Sequence, residues 1–537
     1  MDQNIRIELD RDGVLLACID MPGRSMNVFS MDMMDSLERL VIHVEEHPEV
    51  RAVVLTSGKS AFIAGADLAM ISNVFDKRAR SDSHAQLVEL CGRLGRIFRR
   101  LEKSRKPYVA ALNGLALGGG LELGLACHAR VVADAPNVLL GLPEIKLGLL
   151  PGAGGTQRLP RLVGARLGLR MLLDGNPLTP AAALGCALVD EVVPPAELIA
   201  AARRRALLSL ERTTPPWDRA DAHFDAGGFD FSAPDVSEHI ARAFGLSEET
   251  LAKYPAYTAI MNCVVEGWNM PMDAALANEM DIFVNLIRNP VAGHMVRALF
   301  LNRQRSLKAA PIALDPRKAQ VAVIGEGAEA LTRRLAAGRA KVVVPEELGA
   351  QDVAVRLNGA RPVRGVEVAW LSDGVATLDN ARAGVWAAPK TEYGRAVEVV
   401  VDNSDDPAAR DAALAVVRWL GADAVLVTRG QTSSLESMSQ VREAARAAGC
   451  SEEEQLLAVS LAAIRRWLDR AIDDMELADA AAVVAGIAPA YSGGPFCCAL
   501  QHGPDALQAW AKMARTRDAA LFAWPTGGES LFAAAAA

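Results

Sequence analysis

Residues 5–20, IRIELDRDGVLLACID, alternate apolar and polar positions on either side of Arg11-Asp12-Gly13, which predicts two strands joined by a tight turn. MDMMDSLERLVIHVEEH changes to helical spacing, RAVVLTS reads as a buried strand, and GKSAFIAGADLAM as a loop. A second helix is expected over LVELCGRLGRIFRRLEKS, a short strand over PYVAAL, and a strand over RVVAD, with VLLGLPEIKLG continuing the alternation. Strand and helix in turn predict an α/β domain with helices covering a sheet. From about Leu198 to Ser306 the pattern is mostly helical, interrupted by a Pro-, Asp- and Gly-rich stretch at RTTPPWDRADAHFDAGGFDFSAPD. Strands return at AQVAVIGEG, AKVVVPEE, GVEVAWLS, RAVEVVVD and ADAVLVTRG, a second α/β block. Helices then run from about Ser433 toward the low-complexity SLFAAAAA.

Composition narrows the classes. The 537 residues suffice for about three or four domains. A net charge of −8 argues against a broad nucleic-acid surface. No apolar run approaches the roughly 20 residues of a membrane span, and MDQNIRIELDRDG lacks the basic and apolar regions of a signal peptide. The eight cysteines form no C-x-x-C pair, so reduced thiols in a cytoplasmic protein are expected. The eight histidines do not cluster at ligand spacing, and no metal site is expected.

One stretch asks for chemistry. In LALGGGLELGLACHAR three glycines, Gly118 to Gly120, precede Glu122, a carboxylate between leucines. Glycines ahead of a helix bring backbone N–H groups close to a ligand, and the positive end of the helix suits an oxyanion. The small-residue turn Gly65 to Leu68 offers a second donor, and Glu144 in GLPEIKLG a second carboxylate in an apolar setting. Two glutamates beside one activated carbonyl can position a water, take its proton and deliver a proton to carbon. Taken singly, Glu122 reads as a solvated helix residue and Glu144 as a strand-end residue; the two glycine turns together weaken both bland readings.

AFIAGADL, NGLALGGGLELGLA and GLPEIKLGLLPGAGGTQRLPRLVG resemble, in order, the signature segments of the enoyl-CoA hydratase (crotonase) superfamily, over about residues 5–210. The third segment closely resembles the hydratase half of bacterial fatty-acid-oxidation alpha subunits. The resemblance implies a crotonase-like α/β domain of repeated ββα units with a spiral core. It implies an oxyanion hole from the Ala66 and Gly119 amides, with Glu122 and Glu144 as the catalytic carboxylates. It places Ala64, Gly65, Asp67 and Leu68 along the CoA moiety, and Gly118, Pro143 and Gly152 at the substrate. His128 departs from the family, whose members often carry Asp there, and is expected to be structural.

The second half resembles the same alpha subunits less well. YPAYTAIMNCVVEGWNMPMDAALANEM looks like their linker, and VAVIGEGAEALTRRLA like the start of their NAD-dependent 3-hydroxyacyl-CoA dehydrogenase. Here the glycine turn reads Gly325-Glu326-Gly327 with Ala330 in the third position, which puts a carboxylate where a pyrophosphate would lie. TEYGRA stands where relatives carry an HFFNP-like motif before the VEVV strand, and no histidine occurs between His294 and His502. A base matched to neutral pH is missing from this region. APAYSGGPF resembles a segment near the end of the family's helical dehydrogenase domain.

The resulting expectation is four segments: a crotonase-like domain over 1–197, a helical extension and linker over 198–314, a degenerate Rossmann-like domain over 315–432 and a helical domain over 433–537. The expected activity is hydration of a trans-2-enoyl-CoA to a 3-hydroxyacyl-CoA without a cofactor, the dehydrogenase half being inactive. The alternatives are double-bond isomerisation, a bifunctional hydratase/dehydrogenase, and a non-catalytic acyl-CoA-binding scaffold subunit. Acyl-CoA is the expected small-molecule partner; a homo-oligomer or a thiolase-type partner is the expected assembly.

Overall fold

The computed structural model describes residues 4–310, 319–357, 365–372, 377–404 and 406–536. They form two compact units, Met1–Gly293 and His294–Ala537. The segment 198–314, read from the sequence as one extension, divides between them: its helices through Met272–Ile287 belong to the first unit. The expected boundary at 314–315 falls outside the described residues.

The first unit is built on a six-stranded sheet in the order β1 (Ile5–Leu9), β2 (Val14–Ile19), β3 (Ala52–Ser57), β4 (Tyr108–Leu112), β6 (Ala129–Ala133) and β8 (Glu191–Val193). The first pair is the hairpin read from the alternation, antiparallel with Ile5 opposite Ile19 and Leu9 opposite Leu15. Every later pairing is parallel, and β3, β4 and β6 are buried throughout, as continuous apolar runs covered on both faces require. Two short strands, β5 (Ala116–Leu117) and β7 (Leu140–Gly141), pair in parallel as a second sheet. Two successive units repeat: β4, β5 and the Gly119–Ala126 helix, then β6, β7 and the 3-10 turn Glu144–Leu147. Each leaves its first strand in the large sheet and its second in the small one, which brings the two turns that follow β5 and β7 side by side. This is the ββα repeat of a crotonase-like α/β domain. VLLGLPEIKLG does not continue as a strand; Pro143 withdraws an amide, and the chain tightens into the 3-10 turn instead.

The second unit carries a seven-stranded sheet in the order β10 (Lys341–Val342), β9 (Gln320–Ile324), β11 (Val353–Arg356), β12 (Val366–Trp370), β13 (Ala383–Ala387), β14 (Ala396–Val401) and β15 (Ala424–Arg429). All pairs are parallel except β13 with β14. The chain leaves β9 for β10 on one side and returns to β11 on the other, the Rossmann-like reversal. The helices Ser434–Ala447, Glu452–Leu468, Met475–Val484 and Pro495–Ala514 follow, completing a C-terminal helical region.

Candidate active site

The turn 62–67 runs between two other segments. On one side Ala64 N donates to Asn27 O (2.9 Å), Phe29 N to Gly65 O (2.9 Å) and Asp67 N to Phe29 O (2.9 Å). On the other, Phe62 N (3.0 Å) and Ile63 N (3.2 Å) donate to Leu115 O, and Leu117 N to Ile63 O (3.2 Å). Asn27 fixes this arrangement from a buried position, donating to Ile19 O, Ser57 Oγ and Phe62 O and accepting from Met21 N. Ala66 bridges Phe29 in parallel, with the bonds of its neighbours on either side, so its own N–H points away from Phe29. Gly65 sits at φ +105°, and a Cβ on Gly118 would lie 3.9 Å from its Cα, so the two glycine turns abut.

Gly118, at φ +56°, donates to Gly141 O (3.0 Å), and its carbonyl accepts the Leu121 and Glu122 amides. Gly119 is the first residue of the helix, where an amide has no partner within the helix. Among the described residues neither the Ala66 nor the Gly119 amide donates to a backbone carbonyl. Both expected oxyanion donors are therefore available at adjoining turns. The Asp67 carboxylate caps the next helix through Met70 N (3.3 Å) and pairs with Arg24 (2.6 Å). Leu68 opens that helix, and its side chain lies outside the described residues.

Glu122 lies on the first turn of its helix and is buried. Its Oε1 accepts from Ala153 N and Gly155 N, each at 2.8 Å. Burial raises its pKa, and the two amides and the Arg158 charge pull the other way. Glu144 begins the 3-10 turn after Pro143, with Oε1 directly over Gly118, where a Cβ would stand 2.7 Å away. Its Oε2 is buried and, among the described residues, has no hydrogen-bond partner. Burial, then the Glu122 charge, hold Glu144 well above the usual carboxylate range. One carboxylate is thus cradled by amides and its neighbour is left bare, which separates their affinities for a proton. Gly152 leads into the loop that carries Ala153 and Gly155; a Cβ there would stand 3.2 Å from the Phe283 ring.

The sequence reading missed the groups behind this pair. Glu279, from the Met272–Ile287 helix, is buried and accepts from Gly154 N (2.7 Å), Thr156 N (3.2 Å) and Thr156 Oγ1. Arg158 is fully buried, in a two-pronged pair with Glu102 (2.7 and 3.1 Å), and it donates to Ala153 O (2.8 Å). Glu279 follows Met272 and Ala275 at i+7 and i+4 on one buried face of that helix, so helical spacing carried a signal of its burial that the reading did not use. His128 accepts from Tyr108 N (3.0 Å) and its other nitrogen faces Thr213 O (3.1 Å), a structural use that burial of the neutral ring favours. Among the described residues no group of three or more His, Cys, Asp or Glu could hold a metal ion, and no helix is long and apolar enough to cross a membrane.

Residues 11–217 match the family model described as enoyl-CoA hydratase/isomerase. The chain is similar to fatty acid oxidation complex subunit alpha of Shewanella sp. (strain MR-4), 33% identical over 325 residues, covering 60% of this chain and 44% of the relative. It is likewise similar to the subunit of the same name from Idiomarina loihiensis, 36% identical over 332 residues, covering 61% of this chain and 45% of the relative. The chain spans less than half the length of these curated relatives. Among solved structures, an enoyl-CoA hydratase of Geobacillus kaustophilus HTA426 is 25% identical, with 56% of this chain and 94% of that one covered and a TM-score of 0.35.

Proposed function

We propose that the first unit hydrates a trans-2-enoyl-CoA thioester to a 3-hydroxyacyl-CoA. The observation that carries the reading is the unequal glutamate pair: Glu122 held by two amides, Glu144 half-buried with one buried, bare oxygen. The ionised Glu122 takes a proton from water as the water oxygen bonds to the β-carbon of the enoyl group. The electron pair moves through the double bond toward the thioester oxygen, whose charge the Ala66 and Gly119 amides receive. Glu144, carrying a proton, delivers it to the α-carbon. Atoms balance as one water added, and the two carboxylates exchange a proton with solvent to reset. Isomerisation would need a single carboxylate to move a proton between carbons; two adjoining ones favour hydration.

No cofactor enters this chemistry. The second unit does not fit a dinucleotide: Glu326 lies inside the glycine turn after β9, and Glu329 lies in the first turn of the Ala328–Ala337 helix where a pyrophosphate would lie. Glu398, in the VEVV strand, is saturated by Thr428 Oγ1, Ser433 Oγ, Ser434 N and Leu435 N. These contacts support a Rossmann-like half retained as structure, without dehydrogenase activity. The relatives are named as subunits of a complex, which supports an assembly with a thiolase-type enzyme or further copies of this chain. Eight unpaired cysteines support a reducing, cytoplasmic setting.

The test is loss of the conjugated enoyl-thioester absorbance with short and medium trans-2-enoyl-CoA substrates. Wild type is expected to turn over, and Glu122→Gln and Glu144→Gln to lose about 10²- to 10⁴-fold in kcat. A folded wild type that binds acyl-CoA without hydrating it removes the reading in favour of isomerase or scaffold.

A further inference from the structure

The loop 153–156 is held from two sides by two buried carboxylates. Ala153 N and Gly155 N donate to Glu122, and the intervening Gly154 N and Thr156 N donate to Glu279. The four successive amides thus alternate between the two carboxylates, and each carboxylate takes one side of the same loop. We propose that Glu279 is a positioning residue for the hydration site: it fixes, through this loop, the amides that hold Glu122 against Glu144. This rests on the hydratase reading above.

The geometry gives Glu279 no role as a mere core filler. Its carboxylate is 1% exposed in an apolar helix, a costly placement unless its contacts are needed. A glutamine could accept from Gly154 N, but its amide would face Thr156 N donor to donor. The charged groups about it bear on the pair directly. Glu122 faces it from the Gly119–Ala126 helix and raises its pKa, which burial and that charge bring to about 8. Arg158 and Arg161 face it from the Gly155–Val163 helix; Arg158 is held by Glu102, and Arg161 donates to Gln157 and Gly267 O. Cys263, from the Pro255–Gly267 helix, is pushed up by burial and by Glu279, with Glu266 adding to it. From the His84–Glu102 helix and its end, Arg99 and Lys103 pair with Asp273, and His84 with Asp281, all on the outer side of the Met272–Ile287 helix. Glu144 is raised in part by Glu279. Ionisation of Glu279 thus adds a charge beside the proposed acid, and its removal lets Glu144 lose its proton at lower pH.

The experiment compares wild type, Glu279→Gln and Glu279→Ala by kcat, KM and the pH profile of hydration. Glu279→Gln is expected to lower kcat about tenfold with KM within about twofold, and Glu279→Ala to lower it further. The basic limb of the Gln profile is expected to move to lower pH by about half a unit or more. A loop that was merely structural would not move that limb. A folded Glu279→Gln chain with wild-type kcat and both limbs in place overturns the proposal. Should neither variant fold, Thr156→Val drops the hydroxyl that helps ionise Glu279; the basic limb should again move to lower pH, and an unmoved limb overturns the proposal. If wild type hydrates nothing, the activity reading fails by itself. NMR titration of 13C-carboxyl-labelled glutamate, assigned with Glu122→Gln and Glu144→Gln, then reads the pair without turnover. Midpoints unchanged by Glu279→Gln overturn the positioning role; shifted midpoints sustain it.

Discussion

The carboxylate of Glu144 lies against Gly118: a Cβ on that glycine would stand 2.7 Å from Oε1, closer than real Cβ contacts come. Gly118 also carries φ +56°, where an L side chain is strained. Two independent requirements therefore meet at one residue, one of space for the proposed acid and one of backbone direction for the Gly119 amide. Gly118→Ala should cost about 100-fold or more in kcat, because displacing either group by about an ångström removes well-aligned proton transfer or oxyanion contact. Turnover of the alanine chain at the wild-type rate, with its fold intact by circular dichroism, would contradict this placement.

The proposed pair also sets a pH profile. In the proposed hydration Glu122 would act ionised and Glu144 protonated, and both are raised by burial. Hydration should fall on the acid side as Glu122 takes a proton, and on the alkaline side as Glu144 loses one, giving a bell whose acid limb lies above the usual carboxylate range. Glu122→Gln should remove the acid limb from whatever activity remains. A profile flat across the ordinary carboxylate range and above it would place the rate-limiting chemistry elsewhere.

Stability should follow the same groups with a definite sign. Glu279 rises from 4.5 to about 8 on folding, so the native state binds more protons than the unfolded chain between those values. Its contribution is fully present below 4.5 and is lost as pH climbs through about 8. Calorimetric Tm should therefore decline across that window, and the decline should be shallower in Glu279→Gln. Equal slopes in the two chains would show that Glu279 does not hold its proton into that range.

Part of this site was legible in the sequence and part was not. Glu122 stood out as a carboxylate between leucines just after consecutive glycines, and Glu144 as a second carboxylate in an apolar setting. The β1–β2 hairpin was legible because alternation and an Asp-Gly turn agree. The strands β5 and β7, two residues each, exist only through their mutual pairing and leave no periodic trace. In the second unit β11 is four residues long, and β13 contains Gly384, packed so closely that a Cβ would stand 2.8 Å from Leu378; neither shows a strand pattern. Glu279 was hidden for a different reason. The Pro- and Gly-rich stretch before it reads as a boundary, yet the Met272–Ile287 helix belongs to the first unit. Local signals cannot reveal that a helix more than a hundred residues beyond Glu144 returns to its loop.

The pair Arg158–Glu102 allows a prediction about stability rather than chemistry. Arg158 is 0% exposed and Glu102 3%, with Arg99 giving Glu102 a further contact at 2.8 Å. Glu102→Gln leaves a buried guanidinium without its counter-charge and should destabilise the first unit by about 3–5 kcal/mol. The same substitution frees Arg158 to interact more strongly with Glu122 and Glu279, both of which its charge already lowers. The acid limb of hydration should therefore move to lower pH in the variant at temperatures where it remains folded. Chemical denaturation read by circular dichroism gives the first quantity, and the pH profile the second. Arg158→Met combined with Glu102→Leu removes both charges, and should recover much of the lost stability while leaving the acid limb displaced toward higher pH. If instead the double substitution restores both stability and the wild-type limb, Arg158 supports the fold without tuning the glutamates.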